Sequence, residues 1–178
     1  MNFKVSSISL MLMSSAIAMN AHANQGTITF DGQVVDSTCD VAVNGGSADA
    51  TVVLPTVSVN TLKAASDTAG RTSFSMELSN CSNDADKVAA YFQAGATVDP
   101  NTGRLVNQAT TDAATNVDLQ LSEADGTVIK AGDSTQVYQT VDASAGSATL
   151  NYGVEYFATG QSTAGAVDSS VIYSLSYN

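Results

Sequence analysis

"AVDSSVIYSLSYN", residues 166–178, is the stretch on which the fold turns. Val171, Tyr173, Leu175 and Tyr177 share one face of an alternating segment, and Ile172 is the only large apolar residue on the other. A period of two with one apolar face is the signature of a half-buried β-strand. Such a strand needs a neighbour, because a long exposed edge invites uncontrolled association. In a complete sandwich another strand would follow and cover it, but the sequence stops at Asn178.

The opposite end carries a matching surplus. "GTITFDGQVV", residues 26–35, places Ile28, Phe30, Gly32 and Val34 on one face and Thr27, Thr29, Asp31 and Gln33 on the other. This is a core-strand pattern, yet it lies wholly upstream of the first cysteine, Cys39, and nothing obvious in its own domain needs it. One economical reading joins the two ends: the domain lacks a strand, and the extension supplies that strand to a neighbouring copy. Gly32 would mark a close backbone approach or a pocket too shallow for a side chain.

Residues 1–23 are set apart from the fold. Lys4 precedes an apolar run from Ile8 to Ala18, and the run ends in the small-x-small triplet Ala21-His22-Ala23. That is the grammar of a cleaved secretory signal. The apolar run is too short and too interrupted by serine for a membrane span, which needs about 20 apolar residues. The remaining 155 residues are enough for one domain with its own core. They divide into an extension, 24–36, and a folded domain, 37–178.

Without the signal, five Lys and Arg face 17 Asp and Glu, a net charge of −12, and the single histidine is gone. Nucleic-acid binding is excluded, because phosphate contacts require clustered cations. An anionic membrane surface is disfavoured on the same ground, and no membrane insertion is expected. The acids are scattered singly among Ser, Thr, Asn and Gly, which reads as a solvated surface.

Two cysteines, Cys39 and Cys81, in a secreted chain form a disulfide by default. Closing that loop is worth roughly 4 kcal/mol on the chain-entropy argument. Two thiols without a histidine make no zinc site, and no cofactor is implied.

Between the ends the chain alternates in short runs. Phe74, Met76 and Leu78 lead to Cys81; Val117, Leu119 and Leu121 lead to "EADG"; Leu150, Tyr152, Val154 and Tyr156 lead to "ATGQ". Each predicts a half-buried antiparallel strand. "CDVAV", "TVVLPTVSV", "KVAAYFQAG" and "GTVIKAGD" predict further strands, and Leu62–Gly70 a helical turn at most. The sum is an all-β sandwich of immunoglobulin type.

Catalysis finds little to work with. The carboxylates sit among polar loop residues without an apolar pocket to shift them. Asp84 and Asp86 in "SNDADK" decorate a turn more readily than they form a glycosidase pair. "DPNTG", residues 99–103, lacks the distal glutamate of a calcium loop and reads as a hairpin turn. No enzyme is expected.

In the order and spacing of its marks the chain resembles the pilins of the chaperone-usher pathway, and among them the shaft subunits of type 1 fimbriae. The marks are "GTITFDGQVVDSTCDV", "FSMELSNCS", "NVDLQLSEADGTVI", "YFATG", a penultimate tyrosine, Tyr177, and a glycine fourteenth from the end, Gly165. The resemblance implies an incomplete immunoglobulin-like sandwich, missing its last strand and completed by donor-strand complementation. A periodic exchange of strands follows: a periplasmic chaperone lends one beside Val171, Tyr173, Leu175 and Tyr177, and at an outer-membrane usher the next subunit's Ile28, Phe30, Gly32 and Val34 replace it. Pilins are themselves a standard instance of strand addition, so the general rule lends no independent weight. The implied product is a homopolymeric cell-surface fimbrium that supports adhesion. The rival within the family is a minor tip or adaptor subunit joining an adhesin to the shaft. An adhesin itself would carry a separate lectin domain, and the chain has no tryptophan for stacking on sugars.

Overall fold

In a computed structural model of the chain the described residues are Thr29, 39–82, 87–136 and 140–177. The chain divides into two units, Met1–Gln33 and Val34–Asn178, and the fold below is that of the second. Its strands are β1 (Asp40–Val43), β2 (Thr68–Ser79), β3 (Lys87–Phe92), β4 (Leu105–Val106), β5 (Val117–Glu123), β6 (Val128–Ile129), β7 (Val141–Asp142), β8 (Ala148–Ala158) and β9 (Tyr173–Tyr177). The one helix among the described residues is a single 3-10 turn, Val59–Thr61, capped by the Ser58 hydroxyl, which accepts from the Asn60 N–H.

The larger sheet runs β1-β2-β8-β5, with β4 and β6 each pairing with β5; the smaller runs β7-β3-β9. Every ladder is antiparallel. The alternation seen in the sequence decides which side chains point inward. Met76, Leu78, Leu119, Leu121, Leu150, Tyr152 and Val154 from the larger sheet join Val88, Ala90 and Phe92 from the smaller in one core. The Phe92 ring meets Tyr152 edge-on at 5.1 Å, a favoured aromatic geometry. Cys39 and Cys81 form the expected disulfide between the adjoining ends of β1 and β2.

The outer face of the larger sheet is polar yet partly covered. Arg71, at a bulge in β2, lays its guanidinium over Gly153 and donates to the Glu123 carbonyl at 2.8 Å. A side chain at Gly153 would collide with it, since a Cβ there would lie 2.9 Å from the Arg71 Nε. Arg104 stacks on the Phe157 ring at 3.5 Å, a cation–π contact.

Some expectations shift. "TVVLPTVSV" holds no strand: residues 51–58 have no ladder partner among the described residues, and the helical turn falls at Val59–Thr61 instead of Leu62–Gly70. "GTVIKAGD" contributes only the short β6, and β9 starts at Tyr173, after Val171. "DPNTG" is a turn: the Asp99 carboxylate accepts from the Asn101 N–H and the Thr102 hydroxyl, which lowers its pKa, and Gly103 N–H closes onto the Asp99 carbonyl at 2.8 Å. Asp84, Asp86 and the segment 26–35 apart from Thr29 lie outside the described residues.

Candidate functional site

The shared core is open on one side. A groove of ≈ 670 Å³ enters it, floored by Phe74, Met76, Leu119, Leu121 and Val154 of the larger sheet and Phe92 of the smaller. Its walls are two stretches without regular strand structure over most of their length, residues 48–54 and 167–173. Both walls alternate. Val52 and Leu54 pack on the core while Val53 is 80% exposed; Val171 and Tyr173 pack on the core while Ile172 is 66% exposed. A wall that alternates in this way is extended backbone, with one row of side chains in the groove and the other in solvent.

Three contacts locate the second wall. At one end the Tyr173 phenol donates to the Ala48 carbonyl at 3.0 Å, tying the walls together. Burial and the nearby Asp49 carboxylate push the Tyr173 pKa up, which keeps the phenol a neutral donor. Beyond it, β9 pairs with β3 on one side, and its other side meets no strand among the described residues. At the far end of β9 the Cys39 N–H donates to the Tyr177 phenol at 3.0 Å, linking the strand to the disulfide.

Gly165 lies outside β9, at the root of the wall. A Cβ at this position would fall 2.3 Å from Ala114 N and 2.4 Å from the Asp112 carbonyl oxygen, so only glycine lets the chain lie flat on the 112–114 backbone. The Ala166 N–H then donates to the Asp112 carbonyl at 2.7 Å, and Ala113 and Ala166 form a parallel bridge.

Val171, Tyr173, Leu175 and Tyr177 are thus brought to one face, packed against the core as their spacing predicts. Ile28, Phe30, Gly32 and Val34 lie outside the described residues. Sequence reasoning missed the first wall as a wall, having read it as a laddered strand. It also missed polar side chains that bond to the second, among them Thr97, whose hydroxyl donates to the Ser170 carbonyl, and Asn107, whose amide nitrogen donates to the Ala166 carbonyl, because lone polar residues in loops carry no periodic signal. Among the described lining residues the polar groups are hydroxyls and the carboxylates of Asp49 and Asp168, with no histidine, thiol or amine. The surface is shaped and coloured to bury apolar side chains.

Known proteins align with this architecture. The family description "FimA: Type-1 fimbrial protein, A" matches residues 54–178. The major fimbrial subunit SMF-1 of Stenotrophomonas maltophilia (strain K279a) is 49% identical over 172 residues, which cover 93% of this chain and 100% of the relative. The F17 fimbrial protein of Escherichia coli is 40% identical over 173 residues, covering 93% of this chain and 94% of the relative. The crystal structure of the P pilus rod subunit PapA superposes with a TM-score of 0.57 over 86% of this chain and 100% of that one, at 21% identity, which speaks for the fold alone. The chain belongs to the type-1 fimbrial protein family and is a structural subunit of an adhesive fimbrium at the cell surface.

Proposed function

We propose that the groove is the acceptor for a β-strand contributed by another subunit, and that this chain's own extension, residues 24–36, is the strand it gives away. The observation that carries this reading is a core open between two extended walls whose facing backbone has no ladder partner among the described residues. Ile28, Phe30 and Val34 are the large side chains of the extension, with Gly32 between them. Burying three such side chains contributes roughly 5–9 kcal/mol before ordering costs. The main-chain bonds of a strand laid along both walls add to that. Because donor and groove are different surfaces of one subunit, the contact is open-ended and yields a filament.

The same groove, before a subunit fills it, is the docking place for a periplasmic chaperone's strand beside Val171, Tyr173, Leu175 and Tyr177. Delivery to an outer-membrane usher follows, after the signal, residues 1–23, has been removed. The name of the 49% identical relative, a major subunit, favours the shaft over a tip adaptor.

Two deletions test the reading. Removing residues 24–36 should leave a chain that co-purifies with chaperone but contributes nothing to a fibre ladder on unheated denaturing gels. Removing residues 173–178 should abolish chaperone co-purification and bring periplasmic degradation. Normal fibres from the first deletion would overturn the donor assignment.

A further inference from the structure

The wall at 166–170 is held in place without a ladder of its own; among the described residues its only bridge is Ala113 to Ala166. Asn107 does much of the holding. Its amide nitrogen donates to the Ala114 and Ala166 carbonyls, both at 2.9 Å. Its amide oxygen accepts from the Asp168 and Ala109 N–H groups, both at 3.0 Å. The side chain uses both donor hydrogens and two acceptor directions, the full capacity of a primary amide. All four partners are backbone groups, and they lie in three separate stretches of chain: 109, 114 and 166–168.

We propose that Asn107 is a positioning residue that keeps the groove open before a strand arrives; this rests on the acceptor-groove reading above. The floor beneath the wall is apolar, with Leu105, Leu119 and Val154 lining the groove. Val52, Leu54, Phe74 and Val171 line the groove only half-buried, and uncovered apolar surface is unfavourable in proportion to its area, so a loosely held wall gains by folding inward over them. Asn107 opposes this by fixing the wall's root from behind. The Gln108 N–H donates to the Asp168 carbonyl at 2.6 Å, the Ser169 hydroxyl to the Val106 carbonyl at 2.8 Å, and the Thr97 hydroxyl to the Ser170 carbonyl at 2.6 Å. These bonds continue the anchorage outward from the root. Backbone groups of the 97–108 stretch, with the side chains of Thr97 and Asn107, therefore hold the wall on one side and leave the groove free for an incoming backbone. An acceptor that is open only part of the time binds more weakly in proportion to the open fraction. Once a strand is seated, its own bonds hold the wall and Asn107 matters less.

The test uses the full chain and a fluorescent synthetic peptide of residues 24–36, with association and dissociation rates measured separately. Asn107→Ala should slow association about tenfold while leaving dissociation nearly unchanged. Asn107→Ser keeps a short hydroxyl that can serve only part of the four contacts, without setting a charge against the Ala114 and Ala166 carbonyls, so its association rate should fall between those of the unsubstituted chain and Asn107→Ala. Hydrogen exchange supplies the local readout: the Asp168 and Ala109 amides should lose protection in Asn107→Ala, and the amides of β2 and β8 should keep theirs. Unchanged association despite lost protection at Asp168 would overturn the proposal, as would a slowing matched by general loss of protection in β2 and β8. Should Asn107→Ala not fold, Asn107→Ser decides by the same two readouts. Failure of the unsubstituted chain to bind the peptide would instead defeat the acceptor-groove reading, and this inference with it.

Discussion

The two sides of the sandwich solve the same problem by different means. Across β2, β8 and β5 the backbone is bonded strand to strand in continuous register, from Phe74 against Tyr152 to Leu121 against Val154. Around the groove, at 48–54 and 166–172, chain of equally apolar alternation is fixed chiefly by side-chain contacts and short backbone links to neighbouring loops. A ladder satisfies both backbone rows and leaves no room for another strand. Anchorage from one side leaves the other row available. The difference teaches that the groove is a built feature: glycine at 165 and the amide of Asn107 hold open what hydrophobic collapse would shut.

The largest contrast should come from paired truncations. Leu150 is buried in the laddered half and does not line the groove, whereas Leu54 is a half-buried wall residue over it. Leu150→Ala should cost about 2–5 kcal/mol, through lost transfer energy and the cavity left behind. That cost should be the same in unassembled chain and in fibre. Leu54→Ala should cost less in the unassembled chain and gain weight in the fibre, where a seated strand would complete its burial. Denaturant melts of both variants in both states measure this. Equal costs for Leu54→Ala in the two states would mean that the groove is already closed in solution, and the contrast between the halves would dissolve.

A smaller effect is expected at the root of the wall. Gly165→Ala puts a methyl into the 112–114 backbone, and relieving such overpacking costs about 1–3 kcal/mol. The strain should be spent locally, by lifting 166–168 off its bonds to Asp112 and Asn107. Fibre yield should therefore fall further than the melting temperature of the unassembled chain suggests. A variant that melts much lower and still assembles normally would show that the wall's position does not govern the groove.

How much of this was legible in the sequence divides along the same line. Period-two alternation located β2, β5 and β8 and assigned their inward faces, because in a laddered sheet the pattern and the burial have one cause. The reading of "TVVLPTVSV" as a strand fails: Val52 and Leu54 pack on the core and Val53 faces solvent, yet no ladder forms, since periodicity records which side chains are covered and is silent on what the backbone bonds to. Gly165 was noticed only through a family resemblance. Its physical reason, contact with a backbone some fifty positions away, exists only once the chain is folded. Asn107 gave no sign at all, because two of its four partners are Ala166 and Asp168, at separations of 59 and 61 residues.

The smallest predicted effect compares two tyrosines, one in each half. Burial, aided by the nearby Glu123 carboxylate, pushes the Tyr152 pKa up to about 12, and burial with Asp49 raises that of Tyr173. A phenol whose pKa is higher folded than unfolded holds its proton longer in the native state, so the folded chain binds more protons once the pH passes the ordinary value near 10. The associated stability is fully present below about pH 10 and is lost as the pH climbs toward 12. Tyr152→Phe should therefore flatten the alkaline decline in melting temperature, whereas Tyr173→Phe should flatten it less, since Tyr173 is only partly buried at the mouth of the groove. Tyr173→Phe should also weaken the tie between the walls at neutral pH, because it deletes the bond to the Ala48 carbonyl, an effect Tyr152→Phe lacks. Melting curves from pH 7 to 12 for the unsubstituted chain and both variants separate the two contributions, and an equal flattening by the two would mean that the groove is as dry as the core behind it.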